Sequence, residues 1–157
     1  MSINKVLKET AKAVTGIKHY GNGLKYNSNL LDQSGEAVDS EAHYPLLWVY
    51  NIEAEKGKGG YILPLNATYT VQLFIVDQVE MSGDTESLTA SQEVTELLCD
   101  KFIVALSRHP SMTEKMGAFK MFNVPPSLLD DNVTGWYMQF TIGIKQIDPS
   151  CLTPVEE

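Results

Sequence analysis

One stretch of the chain decides the fold, and it reads Ala67-Thr68-Tyr69-Thr70-Val71-Gln72-Leu73-Phe74-Ile75-Val76. Alternate side chains point to opposite faces of a β-strand, so this stretch predicts a long strand with two different faces. One face is predicted to be core and consists of Tyr69, Val71, Leu73 and Ile75. The opposite face begins polar and ends with Phe74 and Val76, so we expect a helix or a neighbouring subunit to cover only that end.

A second apolar run precedes the long strand and reads Leu46-Leu47-Trp48-Val49-Tyr50. It predicts a first strand, with Pro45 at its start, where a missing backbone N–H is tolerated. A polar, Gly-rich segment then leads through Tyr61-Ile62-Leu63-Pro64 into the long strand. The two strands are predicted to form a β-hairpin whose arm spans about residues 53–61.

Two helices are predicted from apolar residues at helical spacing. The first ends near Gly16 and has an apolar stripe of Ile3, Val6, Leu7, Thr10, Ala11, Val14 and Ile17. The second begins at a capping box formed by Thr89 and Gln92 and ends before Pro110. Its predicted buried face is Leu88, Ser91, Val94, Leu97, Leu98, Phe102, Ala105 and Leu106, and its outer face carries Glu93, Glu96 and Asp100.

The remaining segments complete a single predicted domain over residues 1–150, followed by a tail at 151–157. Residues 18–43 are rich in turn formers and predict a long irregular loop. Lys115–Phe122 is predicted to be a strand, Pro125-Pro126 a turn, and the final strand has an alternating face of Trp136, Met138, Phe140, Ile142 and Ile144. The order of elements predicts an α+β fold, in which helices pack on one face of a mainly antiparallel sheet.

Charge and hydropathy exclude several classes of function. The 157-residue chain has a net charge of −8, which disfavours an ordinary nucleic-acid groove. Residues 1–26 carry five Lys and one Glu, whereas residues 27–100 carry thirteen acids and two Lys. No apolar run approaches the length of a membrane span, and the first nine residues lack a secretory signal, so a cytoplasmic site of synthesis is expected.

The residues do not predict an enzyme, a metal site or a cofactor site. His19, His43 and His109 stand alone, without the spacing of metal ligands. Cys99 lies in a predicted helix without a nearby Gly-rich turn, and Cys151 lies in the tail, so two unpaired thiols are expected. Asp130-Asp131 is typical of a turn. The segment 55–60 is not a phosphate-binding loop, because a strand follows it instead of a helix.

Surplus apolar surface and the hairpin arm favour an interaction protein. The predicted strands are apolar on both faces, and one layer of helices covers only one face. The Gly-rich hairpin tip is either a solvated turn or an arm that orders against a partner. The predicted partner-binding residues are Trp48, Glu55, Lys56, Lys58, Tyr61, Phe74 and Val76.

In order of elements and size, the chain resembles the tail terminator and neck ring proteins of tailed bacteriophages. The resemblance rests on the N-terminal helix and loop, the opening Tyr44-Pro45-Leu46-Leu47-Trp48-Val49, the long strand to Asp77, the helix from Thr89 to Leu106, and the closing strand introduced by Asn132-Val133-Thr134-Gly135-Trp136. It implies a ring, expected to be hexameric, that ends the tail tube or joins tail to head in the virion. Tail-tube and connector proteins would be its partners, and DNA would pass through the lumen without specific binding.

The alternative is a small acidic cytoplasmic binding module or adaptor with no catalytic activity. Such a protein would be monomeric or dimeric, and its Gly57–Gly60 arm would engage one partner. Oligomeric state therefore separates the two hypotheses.

Overall fold

Five strands form one sheet in the order β1-β2-β3-β5-β4. A computed structural model describes residues 2–22, 44–56, 66–79, 85–112, 119–125 and 133–145. The elements are α1 (Ile3–Ala13), β1 (His19–Asn22), β2 (Leu46–Lys56), β3 (Asn66–Gln78), α2 (Thr85–Ser107), β4 (Lys120–Val124) and β5 (Val133–Lys145). β1 runs parallel to β2, and the other neighbouring strands are antiparallel. The predicted α+β class and mainly antiparallel sheet are confirmed.

β3 is the central strand and corresponds to the long strand predicted from alternation. It pairs with β5 over its full length, from Asn66 opposite Lys145 to Gln78 opposite Val133. The predicted core face is confirmed, because its four side chains are buried in one cluster with residues of α1 and α2. The helices therefore lie on this face of the sheet.

α1 follows the predicted pattern. The Ser2 hydroxyl caps its first turn by accepting a hydrogen bond from the Lys5 N–H. The apolar stripe from Ile3 to Ala11 is buried. Gly16 has a positive φ of +112°, and an added Cβ there would lie 2.8 Å from the Leu98 Cδ2 atom, so this turn both ends the helix and packs against α2.

α2 begins four residues before its predicted start, at Thr85. The predicted capping box is wrong, because Thr89 lies inside the helix and its hydroxyl donates to the Thr85 carbonyl. The predicted buried face is also too wide. Val94 and Leu97 are each 53% exposed, whereas burial is confined to a stripe of Thr95, Leu98, Cys99, Phe102 and Leu106.

The strands differ from prediction in three places. Residues 19–22, predicted to be loop, form β1 and pair with the start of β2. β2 continues to Lys56, so Glu53 lies in a strand and not in a hairpin arm. β4 occupies Lys120–Val124, so it overlaps the predicted Lys115–Phe122 strand and continues two residues beyond it, and residues 115–118 of that prediction lie outside the described residues. The rest of the predicted 18–43 loop, the hairpin tip and the 151–157 tail lie outside the described residues.

A second apolar cluster lies on the sheet face opposite the helices. It contains Tyr44, Leu46, Trp48, Phe74, Val76, Val124 and Val133. No described helix contributes to it. β3 is thus buried on both faces at its Phe74–Val76 end, as its apolar composition there predicts.

Gly135 on β5 lies close to the backbone of β3. A Cβ atom at this position would lie 2.1 Å from the Ile75 carbonyl oxygen and 2.8 Å from the Val76 Cα atom. Both contacts are with backbone, which cannot rotate away as a side chain can. The central strand pair therefore requires glycine here.

We expect Gly135→Ala to lower the free energy of unfolding by about 3 kcal/mol or more, since β5 must move away from β3. Urea denaturation followed by circular dichroism measures the change. Thr141→Ala, at an exposed position on the same strand, is the control; it loses a 3.5 Å contact with the Thr70 hydroxyl and should cost about 1 kcal/mol or less. Equal stability of the two variants would contradict the close approach.

Candidate interaction surfaces

Five aromatic residues form a row across the sheet face opposite the helices. Trp48 stacks on Phe74 with 5.1 Å between ring centroids, and Phe74 contacts Tyr137 at the same distance. Tyr137 in turn contacts Phe122 at 5.9 Å, and Tyr50 meets Phe74 edge to face at 6.1 Å. We call this set the aromatic row. It crosses β2, β3, β5 and β4, because its members occupy neighbouring positions on adjacent strands.

β2 contains a β-bulge at Tyr50, one of the five residues of the aromatic row. The register between β2 and β3 shifts between Val49 and Asn51, so Tyr50 is the extra residue on β2. Tyr50 and Trp48 contact each other edge to face at 5.8 Å. β-bulges re-aim side chains and are frequent at functional surfaces.

The aromatic row is buried in its middle and exposed at its ends. Trp48 and Phe74 are 1% and 9% exposed, whereas Tyr50 and Phe122 are 46% and 54% exposed. Burial raises the pKa of Tyr137, and the nearby Tyr50 raises it further. A partner could therefore contact the exposed rings of Tyr50 and Phe122, which pack against the buried rings between them.

The predicted partner-binding residues fall into three groups. Trp48, Phe74 and Val76 are buried within the single chain, and a partner role for them stays a prediction. A second subunit is not needed to cover them. Glu55 is exposed on β2, and Lys56 is its last residue. Lys58 and Tyr61 lie outside the described residues, and a partner role for the hairpin arm stays a prediction.

The second candidate surface is the outer side of α2. Val94, Leu97 and Val104 are about half exposed, at 53%, 53% and 47%. Spacings of three and seven residues bring them to the same side of a helix. Lys101 lies among them, and the exposed acids Glu93, Glu96 and Asp100 flank them on one side. We call this apolar and acidic surface the α2 stripe.

A hydrogen-bond chain holds α2 in place on the sheet. The Gln92 side-chain amide donates to the Thr134 hydroxyl at 3.1 Å, and that hydroxyl donates to the Val124 carbonyl at 2.7 Å. The Trp136 indole N–H donates to the Gln92 carbonyl at 2.9 Å. Sequence periodicity does not predict that Gln92 links α2 to the sheet, because its spacing from Thr89 indicates a capping box instead. These bonds to β4 and β5 fix the position of the α2 stripe.

The third surface is a hollow of about 360 Å³ between α1 and β1. Lys8, Lys12 and Lys18 line it, together with the apolar side chains of Ala11 and Ile17. His19 and Tyr20 complete the lining. We call it the lysine hollow. It concentrates positive charge in a protein whose net charge is −8.

The candidate catalytic residues are placed in structural roles. Cys99 is fully buried, and burial raises the pKa of its thiol, with Asp100 and Glu96 raising it further. His109 bridges the two helices, because its Nε2 atom lies 2.9 Å from the Glu9 Oε2 atom. Its Nδ1 atom accepts a hydrogen bond from the Ser111 N–H. His19 lies in β1, and His43 is outside the described residues.

The described residues contain neither a cluster of metal ligands nor a helix that could span a membrane. No group of three or more His, Cys, Asp or Glu side chains in these ranges is placed to hold a metal ion. Neither α1 nor α2 has the length and apolar character that crossing a membrane requires.

Comparisons with known proteins do not assign the chain to a family. No protein-family model matches the sequence. No curated protein is significantly similar to it.

We expect the Cys99 thiol to react with a thiol reagent such as dithionitrobenzoate only after unfolding, because the thiolate is disfavoured and shielded. The measurement uses Cys151→Ser, which leaves one thiol, with and without denaturant. Rapid reaction of the folded variant would contradict the buried position.

The ionised Asp77 carboxylate should lower the free energy of unfolding at neutral pH. Burial raises its pKa, and this outweighs the hydrogen bond from the Gln78 N–H and the attraction of Lys18. A carboxyl whose pKa is higher in the folded state favours unfolding once pH rises through its unfolded pKa, and has no such effect below it. Asp77→Asn should therefore be more stable than wild type near pH 7, with the difference vanishing near pH 3. Urea denaturation across this range tests it, and a less stable variant at neutral pH would show that Lys18 dominates.

Proposed function

We propose that the chain is a structural virion protein of a tailed bacteriophage, forming a ring at the neck or tail end. The ring terminates the tail tube or joins the tail to the head. One observation carries the proposal: large apolar side chains are exposed on two different sides of the molecule. Tyr50 and Phe122 lie on the sheet face opposite the helices, and Val94, Leu97 and Val104 lie on α2.

Two unlike surfaces are what a ring subunit needs. Subunits in a ring associate head to tail, so each presents one surface to its predecessor and a different one to its successor. A twofold dimer needs only one self-complementary patch. The exposed ends of the aromatic row and the α2 stripe are separate surfaces, so one can contact the next subunit of the ring and the other a neighbouring layer such as the tail tube or connector.

The fold and charge are compatible with this role. Helices on one face of a mainly antiparallel sheet are what the resemblance to tail terminator and neck proteins implies. A net charge of −8 would oppose adhesion of DNA phosphates as DNA passes through the lumen. Assembly would take place in the host cytoplasm, and the mature location would be the virion neck or tail.

The alternative function is a small acidic binding module or adaptor. The aromatic row favours it, since exposed aromatic edges over a packed centre are typical of sites that bind a single protein partner. Such a module would remain a monomer or dimer. The exposed α2 stripe then has no assigned role, which is why the ring is preferred.

The purified chain should form closed particles with a central opening, with six subunits expected. Size-exclusion chromatography with light scattering gives the mass, and negative-stain microscopy gives the shape. Mixing with tail-tube or connector proteins should place the ring at one end of those structures. A chain that stays monomeric over the accessible concentration range and never associates with them contradicts the proposal.

Centre and ends of the aromatic row should behave differently on mutation. Phe74→Ala should cost about 3–5 kcal/mol of folding free energy, because a buried ring leaves a cavity. Tyr50→Ser with Phe122→Ser should have a much smaller effect on folding, yet weaken association with partners, since both rings are about half exposed. Urea denaturation and light scattering separate the two effects. Unchanged association in the double variant would remove this surface from assembly.

A further inference from the structure

We infer that the α2 stripe of one copy of the chain docks into the lysine hollow of the next copy. The inference rests on the proposed function in that the partner is a second copy in a head-to-tail assembly. It goes further by naming the two surfaces that meet. The occupant of the lysine hollow is therefore a helix face of this same chain.

The α2 stripe has an apolar centre and an acidic flank. Val94, Leu97 and Val104 supply the centre, and Glu93, Glu96 and Asp100 the flank. Lys101 is the single cation among them, so the stripe as a whole is negative. An exposed apolar patch beside like charges is typical of a docking surface, not of a helix that faces only water.

The lysine hollow has the complementary pattern. Half-buried Ile17 provides the apolar surface, since Ala11 is only 1% exposed, and Lys8, Lys12 and Lys18 provide positive charge around it. A hollow of about 360 Å³ has room for a protruding side chain such as that of Leu97. Apolar surface would meet apolar surface while Lys8 and Lys12 approach acids of the α2 stripe.

The position of the two surfaces in the fold favours contact between copies. β1, which lines the lysine hollow, is an edge strand of the sheet. α2 packs on β3, β5 and α1, and its exposed side points away from the elements it covers. One surface therefore cannot fold back onto the other within the chain. Pairing between copies leaves one unused surface at each end, which is the head-to-tail geometry that closes into rings.

Charge and apolar contact would have separate roles. Exposed ion pairs are individually weak, so the apolar centre supplies most of the adhesion. The charges select the orientation, accelerate encounter and oppose pairing of two α2 stripes with each other. Because solvent-exposed charges are screened within about 10 Å at roughly 0.1 M salt, assembly should slow and weaken as salt is raised.

Paired charge reversals test the contact. Lys8→Glu/Lys12→Glu removes the positive side, and Glu93→Lys/Glu96→Lys removes the negative side. All four residues are exposed, so both variants should fold as wild type does by circular dichroism and urea denaturation. Each alone should lose assembly by at least tenfold in the concentration required, measured by light scattering.

Mixing the two variants should restore assembly. The negative hollow of Lys8→Glu/Lys12→Glu then faces the positive stripe of Glu93→Lys/Glu96→Lys. The positive hollow of the second variant faces the unchanged negative stripe of the first. The restored particles must contain the two variants in alternation, which native mass spectrometry detects. Single-site controls are Lys120→Glu and Glu53→Lys, which lie on strands outside both surfaces and should assemble normally.

The outcomes separate this inference from the proposed function. A wild-type ring that both reversed variants also form would overturn the contact and leave the ring role intact. Variants that fold, fail to assemble and are not restored by mixing would also overturn the pairing. If assembly is unaffected but inorganic phosphate binds wild type and not Lys8→Glu/Lys12→Glu by calorimetry, the lysine hollow is an anion site instead. A wild-type chain that remains monomeric overturns both proposals.

Discussion

The pairing of β3 with β5 holds the described parts of the molecule together. β3 pairs with β2 along one edge and with β5 along the other, and Gly135 allows β5 to approach the Ile75–Val76 backbone closely. Both helices pack on one face of this strand pair, and the aromatic row crosses its other face. A shift of β5 relative to β3 by one residue would move the side chains of β5 to the opposite faces, and both the contacts with α2 and the aromatic row would be lost.

The same strand pair positions α2. The hydroxyl of Thr134, next to Gly135, accepts a hydrogen bond from the Gln92 side-chain amide, and the Trp136 indole N–H donates one to the Gln92 backbone carbonyl. Because the helices form a single layer, α2 has a side that the sheet does not cover. The apolar residues on that side are exposed as a direct consequence of the architecture. Their exposure is also what makes the α2 stripe available to a partner.

Sequence reasoning predicted the elements with a strong period and missed those whose identity depends on a neighbour. β3, β5 and α1 follow from alternation or helical spacing, because each buries one complete face. β1 was missed because Gly21 and Asn22 are turn formers, and only pairing with β2 makes this segment a strand. Val94 and Leu97 were predicted to be buried because periodicity identifies an apolar face without showing what covers it. The aromatic row depends on strand register and on the bulge at Tyr50, neither of which the sequence pattern specifies.

Burial of Trp48 and Phe74 within the chain changes where an assembly surface must lie. The free energy of burying these rings contributes to folding of the single chain, so it is not available to drive association. Among the described residues, large apolar side chains remain exposed at the ends of the aromatic row and along α2. Under the proposed function, such a chain would fold before it assembles, and its contacts with neighbours would consist of modest apolar patches oriented by charge. Such contacts are weak one at a time, but in a closed ring each subunit is held on two sides, so losing one subunit requires breaking two contacts at once.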